Sequence, residues 1–203
     1  MVIQMVHIGL DIDGVLADYE NAFISCSNEM YASNLEVHDY SNDWRSVWRV
    51  DNETCLDRST YFLSDEFYST LGIIPGARDG VKSLMRLANI SIVSSRSESS
   101  YNVTRSWLLR IFGEPFWDSI SLSSPWDERQ GENARRFTKL EQCVDMEIDV
   151  LIDDEIRHLI AVSEVGVRGI LCSFNSHVQQ RDTRKDVFVC RSWPEVVDVV
   201  SSW

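Results

Sequence analysis

Long apolar runs are missing from this sequence. No window approaches the roughly 18 continuous apolar residues of a membrane-spanning helix. The opening residues Met1 to His7 lack the basic start and small-residue cleavage site of a secretory leader. The expectation is a cytoplasmic protein with no membrane partner. Basic charge is also scarce: 19 Lys and Arg stand against 32 Asp and Glu, a formal charge of −13 over 203 residues. Polymeric nucleic acid binding rests on a basic footprint that displaces counterions, so this balance argues against it. A small anionic substrate stays open if cations gather locally. Cysteines are few, odd in number and scattered (Cys26, Cys55, Cys143, Cys172, Cys190), with no CxxC pair. That points away from a disulfide framework or a zinc site and toward a reducing compartment. His7, His38, His158 and His177 share no metal-ligand spacing and read as packing or surface residues. There is no GxGxxG, Walker loop or nucleophile elbow, which argues against dinucleotide binding, an ATP-driven kinase and Ser-His-Asp hydrolysis.

What is present is a folding composition, with 44% apolar, 10% aromatic and 25% charged residues and only four prolines. A chain of this length can bury one core plus a modest insertion. Short runs rich in Val, Ile and Leu recur at Met5 to Leu10, Ile90 to Val93, Ile120 to Leu122, Val150 to Ile152, Gly169 to Leu171 and Val187 to Cys190. Stretches with helical spacing separate them. Val81, Leu84, Met85 and Leu87 form one apolar face after Pro75-Gly76, and Trp107, Leu108, Ile111 and Phe112 form another. Cys26 and Cys143 sit in helical apolar contexts and read as core. Strands alternating with helices predict an α/β fold, a Rossmann-like parallel sheet covered by helices on both faces. Nearly eighty residues separate the first two strands, far more than a crossover needs, and Ala17 to Leu71 is aromatic-rich with weak helical signals. This predicts a small, mainly helical cap inserted after the first strand, with residues 17–74 as cap and 1–16 and 75–203 as core. Ser123 to Arg136 is polar and aperiodic and reads as a loop or lid.

Asp11-Ile-Asp-Gly-Val is the sharpest chemical signal. It puts Asp11 and Asp13 at the carboxyl end of the first strand, where open α/β sheets bind ligands. One carboxylate can attack phosphorus while the other protonates the leaving oxygen and then deprotonates water. Val150-Leu-Ile-Asp153-Asp154 is a second apolar strand ending in acids. Grouped carboxylates repel and call for a cation, and a hard oxygen set favours Mg²⁺. An acidic turn and a helix N-cap are the structural alternatives for the two motifs.

With these residues the chain resembles the haloacid dehalogenase superfamily of phosphohydrolases. Its four motifs fall, in order, on Asp11 and Asp13, on Ser94 in Ile92-Val-Ser-Ser95-Arg96, on Lys139, and on Asp153 and Asp154. The resemblance implies Asp11 as nucleophile and Asp13 as general acid/base. It implies Ser94, Ser95 and Lys139 as phosphate holders, and Asp11, Asp13 and Asp154 at the metal, with Asp153 behind Asp154.

A narrower resemblance, to the 5′(3′)-deoxyribonucleotidases, is carried by Asp11-Ile-Asp-Gly-Val-Leu-Ala-Asp18-Tyr19, by Ile74-Pro-Gly-Ala-Arg-Asp-Gly-Val-Lys and by Ser192-Trp-Pro-Glu-Val. It implies that Tyr19 packs on a nucleobase, against ordinary packing under the cap. Trp44, Trp48, Phe62, Phe67 and Tyr68 are further candidates for an aromatic wall. Two positions depart from the family: Arg96 stands where a proline is usual, and Thr104 where a phosphate-facing lysine is usual. Arg96, as a substrate contact, or Arg105 can restore that charge, and Arg129, Arg135 and Arg136 can reach the substrate or balance Glu128 and Glu132. The function implied is a Mg²⁺-dependent 5′-nucleotidase acting on (deoxy)ribonucleoside monophosphates through an aspartyl-phosphate, and possible as a homodimer. The alternatives are a phosphatase for a sugar phosphate or a polynucleotide 3′-phosphate, and a silent nucleotide-binding protein.

Overall fold

Every one of the six apolar runs becomes a strand: β1 (Val6–Leu10), β2 (Ala88–Ser94), β3 (Ile120–Leu122), β4 (Val150–Asp153), β5 (Arg168–Cys172) and β6 (Val187–Cys190). The computed structural model describes residues 5–123, 138–174 and 187–203. The strands form one sheet in the order β3-β2-β1-β4-β5-β6, and each neighbouring pair is parallel. Such strands are apolar on both faces because helices cover both sides. Alternate residues confirm it. Ile92, Ile152 and Ile170 belong to one buried cluster, and their chain neighbours Val93, Leu151 and Leu171 belong to the other.

The first cluster is closed by α5 (Ala77–Leu84), α6 (Tyr101–Phe112) and α9 (Trp193–Ser201). The second is closed by α7 (Lys139–Asp145) and α8 (Ile156–Ser163). Trp193 locks one side. A Cβ on Gly80 would lie 2.2 Å from its ring, and its indole N–H donates to the Val15 carbonyl at 3.1 Å, bracing the turn that follows β1. The apolar face expected over Val81, Leu84, Met85 and Leu87 is shorter in the structure. Helix α5 stops at Leu84 and the chain turns into β2, which leaves Met85 and Leu87 about two-fifths exposed. Cys143 is buried as expected, whereas Cys26 is only half-buried on α1 (Tyr19–Tyr31).

Between β1 and α5 lie α1, α2 (Trp44–Trp48), α3 (Asn52–Phe62) and α4 (Asp65–Thr70). Asp43, Asp51 and Ser64 start the last three by accepting backbone N–H bonds, as N-cap side chains do. Phe23, Trp48, Phe62 and Phe67 pack together with ring centroids about 5 Å apart. This excursion leaves and rejoins the core at one place. The Asp18 N–H donates to the Gly72 carbonyl at 3.0 Å and the Ile74 N–H to the Leu16 carbonyl at 2.8 Å.

The expected lid over Ser123 to Arg136, with Glu128, Arg129, Glu132, Arg135 and Arg136, lies outside the described residues except for Ser123, and so does His177.

Candidate active site

The strand order reverses between β1 and β4, and their carboxyl ends open the crevice in which α/β sheets bind ligands. β1 delivers Asp11 there and β4 delivers Asp153 and Asp154, with the Asp11 N–H tied to the Ile152 carbonyl at 3.0 Å. A tight turn follows, in which the N–H groups of Leu16 and Ala17 both donate to the Ile12 carbonyl. Gly14 takes φ +75° in this turn, and a Cβ there would lie 2.2 Å from an Asp154 carboxylate oxygen. Only glycine provides both the left-handed backbone and the room.

Lys139, the first residue of α7, is buried behind these acids. Its Nζ lies 2.6 Å from Asp11 Oδ2 and 2.6 Å from Asp153 Oδ2. Thr138 holds it there through a capping box with Glu141. The two carboxylates share one ammonium on unequal terms. Asp153 also accepts the Glu155 N–H at 2.8 Å and faces His158 Nδ1 at 3.3 Å. Burial raises its pKa, but Lys139 and then His158 outweigh that and hold it below the ordinary carboxylate range. Asp11 has Lys139 on one oxygen, and its other oxygen, Oδ1, is buried with no hydrogen-bond partner. Burial pushes the Asp11 pKa up to about 7 against the pull of Lys139, with Asp153 and Asp13 adding repulsion. Asp154 is raised too, by burial first and then by Asp153 and Asp11.

Carboxylate oxygens of Asp11, Asp153 and Asp154 lie within 4.8 Å of one another. An orphaned buried carboxylate oxygen beside a second carboxylate held up in pKa is what a divalent cation relieves, so these residues fit one. Asp153 already meets Lys139, His158 and a backbone N–H, so Asp11 and Asp154 are the less committed oxygen donors that could hold such an ion. The Asp13 carboxylate is not in this cluster. It turns to Arg96, whose Nε and Nη2 donate to its two oxygens at 2.8 and 2.6 Å.

The cleft above these groups has a cavity volume of about 140 Å³ and opens to solvent. Asp11, Asp13, Ser94, Ser95, Arg96, Lys139 and Asp154 line it, together with the aromatic Tyr19, Tyr40, Trp44 and Tyr68. Tyr19 and Trp44 lie nearly parallel, 13° apart with centroids separated by 6.4 Å, and the Tyr19 hydroxyl donates to the Phe62 carbonyl at 3.0 Å. Trp48 is placed elsewhere. It is 7% exposed among the buried aromatics of the insertion, with its indole N–H on Ser27 Oγ at 3.0 Å, and it does not line the cleft. Phe62 and Phe67 are fully buried beside it. Arg105 is exposed on α6 and does not line the cleft; among the described residues Arg96 is the arginine that does.

Sequence reasoning passed over Glu20, Tyr40, Asn42, Leu63 and Glu155, which also line the cleft. Glu155 follows the acidic pair directly and was within reach of the motif. The others had no signal beyond lying in the insertion. We expect Gly14→Ala to weaken cation binding at least ~10-fold and to destabilise the fold by about 1–3 kcal/mol, from the left-handed backbone and the displaced Asp154. Metal titration followed by thermal melting checks both.

The chain matches known proteins in the same terms. Over residues 4–124, more than half its length, it matches the family model described as 5′ nucleotidase, deoxy (pyrimidine), cytosolic type C protein (NT5C). A search of curated proteins finds no match. Among solved structures it is similar to a haloacid dehalogenase-like hydrolase, SP0104, from Streptococcus pneumoniae, with 15% identity, 96% of this chain and 98% of that chain covered, and a TM-score of 0.68. A predicted phosphatase from Clostridium acetobutylicum aligns at 14% identity over 98% and 100% of the two chains, with a TM-score of 0.68. The HAD-hydrolase YfnB from Bacillus subtilis, bound to magnesium, aligns at 14% identity over 97% and 99%, with a TM-score of 0.59. At these identities the likeness is one of fold. No helix among the described residues is long and apolar enough to cross a membrane. With the sheet order, the acids at the ends of β1 and β4 and the buried lysine between them on the page, the matched family model settles the family: the chain belongs to the family described as 5′ nucleotidase, deoxy (pyrimidine), cytosolic type C protein, and is a phosphomonoester hydrolase with the haloacid dehalogenase fold.

Proposed function

We propose that the protein is a Mg²⁺-dependent 5′-nucleotidase that dephosphorylates deoxyribonucleoside monophosphates through an aspartyl-phosphate on Asp11. One observation carries the reading. The Asp11 carboxylate is buried with one oxygen on Lys139 and the other without a hydrogen-bond partner, and it lines a cleft together with Asp154 and four aromatic residues. A Mg²⁺ ion held by Asp11 and Asp154 supplies positive charge against the phosphoryl oxygens and the two carboxylates; the magnesium-bound relative favours that choice of ion.

The chain's own residues carry the steps. Lys139 and Ser94 line the same cleft and stabilise the charge that spreads over the phosphoryl oxygens. Asp11 forms the bond to phosphorus as the ester P–O bond breaks, and the leaving oxygen takes a proton from Asp13. Water then attacks the aspartyl-phosphate and gives a proton back to Asp13, releasing phosphate and restoring the Asp11 carboxylate. Tyr19, Trp44 and Tyr40, which line the cleft, offer aromatic surface to a nucleobase. Residues 17–74 act as the cap that brings them over the phosphate site. Glu20 and Glu155 at the same cleft disfavour a second phosphate on the substrate.

The test is phosphate release from deoxy- and ribonucleoside monophosphates and from small sugar phosphates, with Mg²⁺ and with chelator. Selective, metal-dependent release from deoxynucleotides is the expected result. Release confined to sugar phosphates would overturn the substrate, and equal release in chelator would overturn the metal.

A further inference from the structure

Arg96 is 3% exposed, which is rare for an arginine unless it is paired. It leaves the end of β2 with its backbone N–H on Ser94 Oγ at 3.3 Å. Its guanidinium is held on three sides. Nε donates to Asp13 Oδ2 at 2.8 Å, Nη2 to Asp13 Oδ1 at 2.6 Å and Nη1 to Thr104 Oγ1 at 3.2 Å, and its Cζ sits 4.1 Å above the centre of the Tyr68 ring. Thr104 is completely buried on α6, and Tyr68 is 4% exposed on α4. The fork thus joins the catalytic turn, the core and the cap at one point.

We propose that Arg96 is a positioning residue for the acid–base step: held by Thr104 and Tyr68, it fixes the Asp13 carboxylate so that its unused lone pairs face the cleft. The proposal rests on the phosphomonoesterase reading above. A carboxylate turns easily about its terminal bond. A guanidinium that donates to both oxygens in one plane removes that freedom and leaves each oxygen a second lone pair for a proton. The Asp13 side chain keeps 27% exposure, while that of Arg96 has 1%. Three of its five guanidinium N–H groups are taken by Asp13 and Thr104, and contact of the other two with a phosphate is the alternative that the experiment separates. The proton given to the leaving oxygen and the one later taken from water are both carried by Asp13. Arg96 keeps all its protons throughout.

The experiment uses the full chain with Mg²⁺. Arg96→Gln and the near-isosteric Thr104→Val are compared with wild type on a nucleoside monophosphate and on p-nitrophenyl phosphate, whose leaving group departs without a proton. A positioned acid–base group contributes about 10²–10⁴-fold, so Arg96→Gln is expected to lower kcat about 10²-fold with KM within ~3-fold. Its loss in kcat/KM should be at least ~10-fold smaller on p-nitrophenyl phosphate. In an Asp13→Asn background it should add less than ~3-fold, because the two residues act as one unit. Thr104→Val should show the same pattern at about 3–10-fold and stay folded if Arg96→Gln does not.

A KM, or an inhibition constant for inorganic phosphate, that rises ~10-fold in both backgrounds with kcat kept would overturn the proposal in favour of a phosphate contact. Equal losses on the two esters would overturn it in favour of a purely structural role. The Arg96 Nε–H gives a reading independent of turnover. Slow solvent exchange in wild type that is lost in Asp13→Asn supports the clamp, and fast exchange in wild type overturns it. If wild type hydrolyses no ester while that N–H stays protected, the phosphomonoesterase reading fails and the positioning role falls with it, leaving the ion pair alone standing.

Discussion

Asp11→Asn is expected to lower kcat on the order of 10⁴-fold or more while leaving the metal-free protein at least as stable as wild type. The two halves of that outcome have one cause. Asp11 is placed where its charge is useful to phosphorus and costly to the fold: one buried oxygen has no partner, and burial with nearby acids pushes its pKa up to about 7. An unfolded aspartate titrates near 3.8. Between these values the native chain keeps a proton that the unfolded chain has lost, so metal-free stability falls as pH rises through that window and levels off above it. Asparagine removes the charge and keeps an oxygen for Lys139. At pH 8 in chelator the variant should therefore melt higher than wild type, and at pH 4 the advantage should vanish. Melting curves across pH beside single-turnover kinetics decide it. Lower stability at pH 8 in chelator would mean that Asp11 is a structural group, and retained turnover would remove it as nucleophile.

Lys139→Met is expected to have the second largest effect and to strike both stability and activity. The ammonium lies 2.6 Å from both Asp11 and Asp153, and its side chain is 3% exposed. Burial lowers its pKa, but Asp11 and then Asp153 overcome that, so it stays charged. Removing one partner of a buried ionic cluster leaves uncompensated charge, a loss of about 3–5 kcal/mol. For a chain of this size that corresponds to roughly 6–20 °C in melting temperature. Turnover should fall on the order of 10²–10³-fold with the loss of a cation aimed at the phosphoryl oxygens. The double variant Asp11→Asn with Lys139→Met should regain part of the stability and none of the activity, since it removes one of the two stranded carboxylates. A double variant no more stable than Lys139→Met alone would show that the lysine stabilises by packing rather than by charge.

Much of this molecule could be read along the chain. The strands were legible because parallel strands buried on both faces leave continuous apolar runs, and all six appear at the expected positions. The acids of β1 and β4 and Lys139 were legible because phosphoryl transfer needs those residue types at strand ends, and the structure brings Asp11, Asp153, Asp154 and Lys139 together. Helix α5 was read too long because apolar spacing continues through Met85 and Leu87 after the backbone has turned away.

The aromatic insertion was visible as a composition, but composition has no direction. Trp44 and Trp48 are four residues apart on α2, and one lines the cleft while the other is packed against Phe23 and Phe62. Tyr40, Asn42 and Glu20 reach the same cleft from two separate segments with no pattern linking them. Arg96 is the clearest case: the sequence offers a stray cation beside a phosphate motif, and the fold sets it on Asp13, 83 positions away, with Thr104 and Tyr68 around it. The sequence by itself determined the strands and the reactive residue types, because strand and helix periods and strand-end motifs are relations between near neighbours. Which oxygen stays bare, which ring faces the substrate and which partner each buried charge takes were decided only by the tertiary structure. Those outcomes depend on burial and on distances between residues that the chain itself leaves far apart.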